Sequence, residues 1–328
     1  MRSGSSRRTL LGVAVGVPIS AIFLWLAVRN ADLAAVQRSL QEARAGLVAL
    51  AVAALAGVYA FQAVRWRKIA ASPQVRVARF YEMVVSGIAC NNVLPARLGD
   101  LFRARWLGLE ASMPAGRAFG TVVLDRGCDL AALFVLLVVG LAAVASAEWL
   151  VRIAVGAAAA LLALAAFVLF ARVYTRRRAR ARRSRGLVRR LVRDTVEALA
   201  EPLGRRRPLV WIALSLGAWT MWALGAIFVA RSLGFELDLV DAMFVAAVMN
   251  LGVAIPSSPG FIGTYEWLGV ASLGLLGIAS EEALAFAILL HACWYVPTTL
   301  AGGIALGVRG FVRVRRARTD RAAAGAVK

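Results

Sequence analysis

The sequence is poor in the residue types that build metal sites and nucleophilic active sites. Its 328 residues include one histidine, His291, and three cysteines, Cys90, Cys128 and Cys293. The cysteines are scattered in apolar context, without the paired spacing of metal ligands. A phosphate-binding glycine loop and a G-x-S-x-G nucleophile turn are also missing. The sequence therefore predicts no metal ion, no cofactor and no enzymatic reaction.

Acidic residues are scarce as well. Eighteen aspartates and glutamates stand against 39 basic residues, which gives a formal net charge of +21. In a soluble protein such an excess would suggest nucleic acid. Here 61% of the residues are hydrophobic and the mean hydropathy is +0.73, whereas soluble domains contain about 45–50% apolar residues. The composition predicts an integral membrane protein without a nucleic-acid partner.

Long apolar runs predict the membrane-crossing helices. A span needs about 20 apolar residues, and the candidate runs are 10–28, 46–64, 119–146, 150–171, 209–230 and 283–307. If these spans alternate, 33 of the 39 basic residues share one face, and the other face holds five arginines against eight acids. The positive-inside rule then predicts a bacterial inner-membrane protein with both termini in the cytoplasm.

The same charges give the predicted domain plan. A cytoplasmic tail (1–9) precedes the transmembrane domain (10–308), and a basic tail (309–328) follows it. The largest loop, 172–208, carries fourteen arginines, and its second half has apolar residues at helical spacing. That pattern favours an amphipathic helix on anionic lipid headgroups, with an ordinary topology-setting loop as the alternative. A shorter amphipathic stretch, 31–45, is predicted at the outer surface.

Two further apolar regions are interrupted, and each returns to the side that it left. The first has basic flanks and the second has acidic flanks. Both contain the pattern P-x-x-x-G-x-x-x-x-x-x-W-L-G, at 95–108 and at 256–269. Interrupted segments at matching positions are typical of transporters built from inverted repeats. The sequence thus predicts an all-α polytopic protein with about six full transmembrane helices and two re-entrant broken-helix hairpins arranged as an inverted repeat.

Proline and glycine mark where the two predicted hairpins break. Irregular backbone at membrane depth is tolerated only where protein or a water-filled cavity surrounds it. Helices that restart after Gly99 and Gly260 would aim free N–H groups at such a cavity, which favours anions such as phosphate. Three asparagines, Asn91, Asn92 and Asn250, are candidates for capping the broken ends. The predicted break residues are Pro95, Gly99, Pro256, Pro259, Gly260 and Gly263.

Charged residues near these breaks and inside the apolar run 119–146 form the predicted substrate site. Ionisable groups within a membrane cost several kcal/mol unless they are paired or hydrated, so they indicate function by default. The arginines are expected to bind phosphate, and the acids to balance those charges or to receive an amine. The predicted site residues are Arg97, Asp100, Arg103, Asp125, Arg126, Asp129 and Glu266.

Structural interpretations of the same residues stay open. Asp100 could simply pair with a neighbouring arginine. The helix predicted from the apolar run 119–146 could begin only at Leu130, which would leave Asp125, Arg126 and Asp129 at the membrane interface. Glu266 could be an outer-surface carboxylate, and His291 could be a packed, hydrogen-bonded side chain instead of a proton relay.

Four pieces of sequence occur together across the chain: Arg65-Trp66, NNVLPARLGD at 91–100, LDRGCD at 124–129 and PSSPGFIGTYE at 256–266. The combination resembles the flippase-like family, which includes the transmembrane half of lysylphosphatidylglycerol synthases. Asp100 and Asp125 stand where that family commonly has glutamate. The resemblance implies a domain that moves lipid between leaflets. Without an aminoacyl-transfer domain, it implies translocation without lipid synthesis.

The sequence therefore predicts that a phospholipid or lipid-linked headgroup crosses the inner membrane through a polar cavity. The predicted partners are a membrane lipid as substrate, anionic lipid headgroups at the basic loop and a lipid-modifying enzyme. One alternative is an enzyme or subunit acting on a lipid-linked sugar or phospholipid, which would turn over a headgroup. Another is a scaffold that recruits a partner through 172–207, which would tolerate cavity mutations but not deletion of that loop.

Overall fold

The computed structural model describes residues 17–94, 98–144, 207–253 and 257–326, and all regular structure in these ranges is helical. The prediction of an all-α fold is confirmed for this part of the chain. Its elements are α1 (Val17–Val28), α2 (Leu33–Glu42), α3 (Ala45–Ala70), α4 (Val77–Val93), α5 (Leu98–Glu110), α6 (Ala115–Val144), α7 (Arg207–Ser232), α8 (Leu239–Gly252), a 3-10 turn (Pro259–Phe261), α9 (Thr264–Leu275) and α10 (Ser280–Ala326).

Several of these helices are long and apolar enough to cross a membrane. By length and composition, Ala45–Ala70, Leu209–Ser232 and Ser280–Arg309 qualify alone. The bent pair α1 and α2, with an 84° angle between its helices, adds a fourth if it counts as one span. The helices α3, α7 and α10 contain the predicted spans at 46–64, 209–230 and 283–307, respectively.

The other predicted segments coincide with described helices only in part. The run 119–146 falls largely on α6, which is 30 residues long, and the amphipathic stretch 31–45 contains α2, whose Val36 is buried. The described part of 10–28 is α1. The predicted span 150–171 and nearly all of the basic loop 172–208 lie outside the described residues.

Small side chains let the long helices pack closely. The paired helices α3 and α7 bury Ala51 and Ala63 from α3, and Ala218 and Ala223 from α7. Close approach of small residues is the usual basis of helix association in lipid, because apolar side chains gain little there from leaving the solvent. This tight pair fixes the position of the polar side chains that α3 and α7 direct into the bundle.

Polar contacts identify the two opposite ends of the bundle. At one end the backbone N–H of Asp32 lies 3.3 Å from Glu281 Oε1, at the start of α10. At the other end Arg309 Nη2 donates to Glu110 Oε2 at 2.9 Å, and Arg309 Nε lies 3.6 Å from Glu82 Oε1. The 30 residues of Ser280–Arg309 correspond to about 45 Å of helix. These contacts therefore mark opposite ends.

Two helix–break–helix units enter the bundle from these opposite ends. Hairpin 1, made of α4 and α5, begins and ends at the Arg309 end, where Glu82 and Glu110 are found. Hairpin 2, made of α8, the 3-10 turn and α9, is joined by the short links 233–238 and 276–279 to the helix ends at the Glu281 end. The turn of hairpin 2 also packs against α4.

The helix of hairpin 2 restarts after Gly260, as the sequence predicts, whereas the helix of hairpin 1 restarts earlier than predicted. Helix α5 begins at Leu98, so a restart after Gly99 is wrong. Gly99 instead lies in the first turn of α5 against the backbone of Gly87, where an added Cβ would overlap the Gly87 carbonyl oxygen. In hairpin 2, Gly260 lies within the 3-10 turn, and α9 begins later, at Thr264. The matching sequence letters therefore occupy different local structures.

Candidate functional site

Three charged residues of α6 lie inside the bundle. Because α6 begins at Ala115, Asp125, Arg126 and Asp129 fall in its third and fourth turns, and the alternative of a helix that begins at Leu130 is wrong. Asp125 has no exposed surface, and Asp129 is 5% exposed. Carboxylates at such positions need charged partners to remain ionised.

The main partner of both aspartates is Arg65, a fully buried residue of α3. Arg65 Nε donates to Asp125 Oδ1 at 2.9 Å, and Arg65 Nη1 donates to Asp129 Oδ1 at 2.7 Å. The same Nη1 lies 2.7 Å from the hydroxyl of Ser215 on α7. The planar fork of arginine suits this bridging of two carboxylates. Sequence reasoning missed Arg65 as a site residue, because it stands at the start of the basic flank that follows the second span.

A second buried arginine, Arg103 of α5, completes the coordination of Asp125. Its Nη2 donates to Asp125 Oδ2 at 3.1 Å, and its Nη1 lies 3.6 Å from Asp100 Oδ1. Its Cζ is 4.2 Å from the ring centroid of Trp66, close enough for a cation–π interaction. Arg103 is 0% exposed, so it lies behind the other charges.

Arg126 and Asp100 are the more exposed members of the cluster. Arg126 Nε lies 3.4 Å from Asp100 Oδ1, and Arg126 Nη1 lies 3.4 Å from Asp129 Oδ2. The Arg126 side chain is 35% exposed and the Asp100 side chain is 25% exposed. These two side chains are the members of the cluster that are most accessible to a ligand.

The six residues form a closed ring of alternating charge, which we call the ionic ring. Each arginine contacts two aspartates, and each aspartate contacts two arginines, so the six formal charges cancel. Breaking a buried pair by removing one partner typically costs about 3–5 kcal/mol, because the other charge remains buried. The ring therefore fixes α3, α5 and α6 relative to one another. Its order is Arg65, Asp125, Arg103, Asp100, Arg126 and Asp129.

A cavity of ≈ 300 Å³ lies beside the ionic ring. Helices of both hairpins line it, together with α3, α6, α7 and α10. Its polar lining residues are Gln62, Asn91, Asn92, Asp100, Arg126, Asp129 and Asn250. Its aromatic lining residues are Tyr59, Trp219, Trp222, Phe261, Tyr265 and Trp294. A volume of this size is at the lower end of the range for small-molecule sites, about 300–1,000 Å³.

Only some of the predicted site residues line the cavity. Asp100, Arg126 and Asp129 line it, whereas Arg103 and Asp125 are buried behind them. Arg97, Pro95 and Pro256 lie outside the described residues.

One of the three candidate asparagines caps a broken helix. Asn91 Oδ1 accepts the backbone N–H of Gly99 at 2.8 Å, in the first turn of α5. Such a bond satisfies one of the N–H groups that a helix start leaves without an intrahelical partner. Asn92 instead donates to the Thr299 hydroxyl at 2.7 Å, and Asn250 donates to a carbonyl of its own helix.

In hairpin 2 it is Glu266 that accepts a backbone N–H at the start of a helix. Its Oε2 accepts the N–H of Gly263 at 2.5 Å, and its Oε1 lies 2.5 Å from His291 Nδ1. Glu266 is 6% exposed, so an outer-surface carboxylate is wrong. The φ angles of Gly260 (76°) and Gly263 (87°) lie in the left-handed region, which side chains disfavour. Pro259 is the first residue of the 3-10 turn that contains Gly260.

The arrangement can bind a polar group within an apolar bundle. The Arg126 guanidinium can donate paired hydrogen bonds to a phosphate, and the neighbouring carboxylates can accept an ammonium group. Among the described residues, no group of three or more histidine, cysteine, aspartate or glutamate side chains could hold a metal ion.

Comparisons with known proteins identify the family of the chain. Residues 10–302 match the family described as "Lysylphosphatidylglycerol synthase TM region". The chain is 27% identical to "Glycosyltransferase AglD" of Haloferax volcanii, over 65% of this chain and 40% of that protein. It is 25% identical to "UPF0104 membrane protein MJ1078" of Methanocaldococcus jannaschii, over 65% of this chain and 91% of that protein. The chain thus spans less than half of the glycosyltransferase. Because the family model matches residues 10–302, the chain belongs to the lysylphosphatidylglycerol synthase transmembrane family and is a membrane protein.

Proposed function

We propose that the protein translocates a lipid between the leaflets of the membrane. The headgroup of a phospholipid or lipid-linked substrate passes through the cavity, while its acyl chains remain in the surrounding lipid. The observation that carries this proposal is the cavity itself, which lies between two hairpins and has the ionic ring in its wall. Charged groups and broken helices at membrane depth are typical of substrate pathways.

We assign separate roles to the exposed and the buried members of the ionic ring. Arg126 contacts the phosphate of the headgroup, and Asp100 and Asp129 balance the charge or accept an amine. Arg65, Arg103 and Asp125 do not touch the lipid and hold the exposed members in position. This division follows burial, since Arg65, Arg103 and Asp125 are 0% exposed.

The two hairpins supply the alternating access that translocation needs. They enter from opposite ends, and the turn of hairpin 2 packs against α4 of hairpin 1. Small rigid movements of one hairpin against the other would open the cavity first toward one leaflet and then toward the other, as in transporters with broken helices.

The distribution of basic residues supports the predicted orientation. We place the Arg309 end of the bundle in the cytoplasm of a bacterial cell, with both termini there and the Glu281 end outside. Cysteine-specific labelling with a membrane-impermeant reagent tests the placement. Cys90, Cys128 and Cys293 are replaced by serine, and single cysteines are introduced at the exposed positions Glu236 and Arg105. Labelling of position 236 alone from outside is the expected result, and the reverse pattern would contradict it.

The function is tested by lipid movement in proteoliposomes that contain the purified chain. A phospholipid with a headgroup label is incorporated, and a membrane-impermeant quencher reports the labelled fraction in the outer leaflet over time. We expect the wild-type chain to accelerate exchange and Arg126→Ala to abolish the acceleration. Arg105→Ala is the matched control, because Arg105 is an exposed arginine of α5 outside the ionic ring. Exchange unaffected by Arg126→Ala would contradict the assigned site.

A second candidate is the membrane subunit of a glycolipid-modifying complex. The observation that favours it is the match to a relative named as a glycosyltransferase. This role predicts headgroup turnover when the chain is combined with a soluble transferase, and no acceleration of exchange by the purified chain. The proteoliposome experiment therefore separates the two candidates.

A further inference from the structure

The pair of Glu266 and His291 is a buried titratable site outside the ionic ring. Both residues are 6% exposed, and His291 Nδ1 lies 2.5 Å from Glu266 Oε1. Among the described residues, no arginine or lysine forms an ion pair with Glu266, in contrast to the aspartates of the ring. The pair joins α9 to α10, and Glu266 at the same time caps the turn of hairpin 2 through Gly263.

One assignment of the protons satisfies both hydrogen bonds of Glu266. Glu266 Oε2 accepts the N–H of Gly263 at 2.5 Å. An ionised carboxylate accepts at both oxygens, so Oε1 matches an Nδ1–H donor on His291. In that tautomer Nε2 carries a lone pair and no proton. His291 Nε2 is buried and has no hydrogen-bond partner among the described residues, so it is an unused base inside the bundle.

We propose that His291 Nε2 is a proton-binding site and that a proton is a second ligand of the translocation cycle. This inference rests on the proposed function, and it names binding of a proton as the event that drives lipid translocation. A proton passes from hydronium in the surrounding water to the Nε2 lone pair, so one O–H bond breaks, one N–H bond forms, and the imidazole becomes an imidazolium while water is left behind. The net charge of the Glu266 and His291 pair changes from −1 to 0.

The change in charge gives the proton control over hairpin 2. A buried net charge is costly in a low-dielectric interior, whereas a neutral ion pair costs much less. Protonation therefore stabilises the packed turn that the structure shows. Loss of the proton favours a state in which water reaches the turn. Because Glu266 binds Gly263 directly, the change acts on the backbone of the break.

Aromatic contacts connect this pair to the cavity. The His291 ring lies 4.6 Å from the Tyr265 ring and is stacked on Trp294 at 5.1 Å, measured between ring centroids. Tyr265 and Trp294 also line the cavity. The proton site is thus separated from the substrate site by a single layer of side chains.

Few other ionisable groups approach this pair. Tyr265 of α9 and Tyr295 of α10 contact the His291 ring, Cys293 lies nearby on α10, and Tyr59 of α3 lies behind Tyr265. Helix α1, which packs against the turn through Ser20, has no ionisable side chain. The other helices packed on α10 or hairpin 2 carry charges only toward their ends or in the ionic ring. These charged residues are Arg38, Glu42, Arg65, Arg67, Lys68, Arg79, Glu82, Arg117, Asp125, Arg126, Asp129, Arg231 and Asp241.

The single histidine of the chain permits a direct test that needs no transport. Protein labelled with ¹⁵N-histidine and reconstituted in bilayers gives one pair of imidazole nitrogen signals by solid-state NMR. We expect Nε2 to change from unprotonated to protonated as the pH is lowered, while Nδ1 stays protonated. An Nε2 signal that does not change with pH would overturn the proposal.

Glu266→Gln sharpens the test, because glutamine can keep both hydrogen bonds. Its carbonyl oxygen accepts the Gly263 N–H, and its amide donates to Nδ1. His291 then takes the opposite tautomer, with the proton on Nε2 already at neutral pH. We expect that reversal in the spectrum. Glu282→Gln is the control, since Glu282 is an exposed acid of the same helix α10, and it should leave the wild-type titration unchanged.

A transport measurement tests the coupling. In proteoliposomes an imposed pH gradient should accelerate lipid exchange by the wild type and by Glu282→Gln, whereas His291→Gln and Glu266→Gln should lose the acceleration. Wild-type exchange that ignores the gradient would overturn the coupling and leave the proposed translocation intact. If the wild type moves no lipid at all, the proposed function fails, and the NMR titration alone decides for or against the proton site.

Discussion

The two hairpins share a sequence pattern but are held by different chemistry. Helix α5 of hairpin 1 contributes Asp100 and Arg103 to the ionic ring, and the arms of this hairpin meet where Gly99 contacts Gly87. The turn of hairpin 2 is held by one carboxylate, Glu266, which joins Gly263 to His291. Hairpin 1 is therefore fixed by several mutually dependent charges. Hairpin 2 depends on a pair that one proton can change, which suits it to be the part that moves.

The largest expected difference between the hairpins is their response to removal of a carboxylate charge. Asp125→Asn leaves Arg65 and Arg103 buried with one anion fewer, so the free energy of unfolding should fall by about 3–5 kcal/mol. Glu266→Gln keeps its hydrogen bonds and should cost less than about 1 kcal/mol. Chemical unfolding in detergent measures both, with the exposed Glu236→Gln as control. Equal losses at Asp125 and Glu266 would remove the distinction drawn between the hairpins.

A smaller effect is expected where the arms of hairpin 1 touch. Gly99→Ala places a Cβ against the Gly87 carbonyl and 2.6 Å from Asn91 Oδ1. The arms must separate, at a cost of about 1–3 kcal/mol. Gly127→Ala on α6 is the matched control, because its Cβ would meet nothing within 4 Å. The same unfolding experiment measures both, and a Gly99→Ala variant as stable as Gly127→Ala would show that this contact does not hold hairpin 1.

The cap of α5 should contribute less again. Asn91→Ala removes the acceptor of the Gly99 N–H, and loss of such a cap typically costs about 1 kcal/mol. Hydrogen exchange of the Gly99 amide should quicken in the variant, whereas the exposed Asn30→Ala should leave it unchanged. An unaltered exchange rate would mean that another group replaces Asn91 as the cap.

The smallest effect is expected at the open end of hairpin 1. Arg309 pairs with Glu110 and Glu82, and its Cζ lies 3.6 Å from the Trp106 ring centroid. The pairs are partly exposed, so Arg309→Ala should cost about 1 kcal/mol or less, and the loss should shrink in high salt. Thermal unfolding at two salt concentrations measures it, with Arg231→Ala as control. A loss of several kcal/mol would show that this end, too, is fixed by its charges.

Much of the fold could be predicted because the lipid environment restricts it. Apolar length predicted the helices at 46–64, 209–230 and 283–307, and the charge of the flanks predicted that two broken segments return to the end from which they start. The exact helix starts could not be predicted, because they depend on contacts across the hairpin. Gly99 lies in the first turn of α5, where it packs against the backbone of Gly87 on α4. No local sequence pattern encodes that contact.

The candidate site could be predicted only in part, for a similar reason. Asp125, Arg126 and Asp129 stand out as charges inside an apolar run. Arg65 does not, because it borders a basic flank that the positive-inside rule already explains. The contact between Glu266 and His291 joins residues 25 positions apart, and a lone histidine in an apolar helix carries no sign of its partner. Partners of this kind become visible only when helices are packed together.

The central claim is that the lipid headgroup occupies the cavity between the hairpins, and photo-crosslinking tests it most directly. A phospholipid with a photoactivatable headgroup is reconstituted with the chain, and the modified peptides are mapped by mass spectrometry. The account predicts modification at the cavity-lining Gln62 and Arg126, and a probe on the acyl chain should instead modify outward-facing residues such as Leu300 and Ile304. Headgroup probes that modify only the outward-facing residues would contradict it.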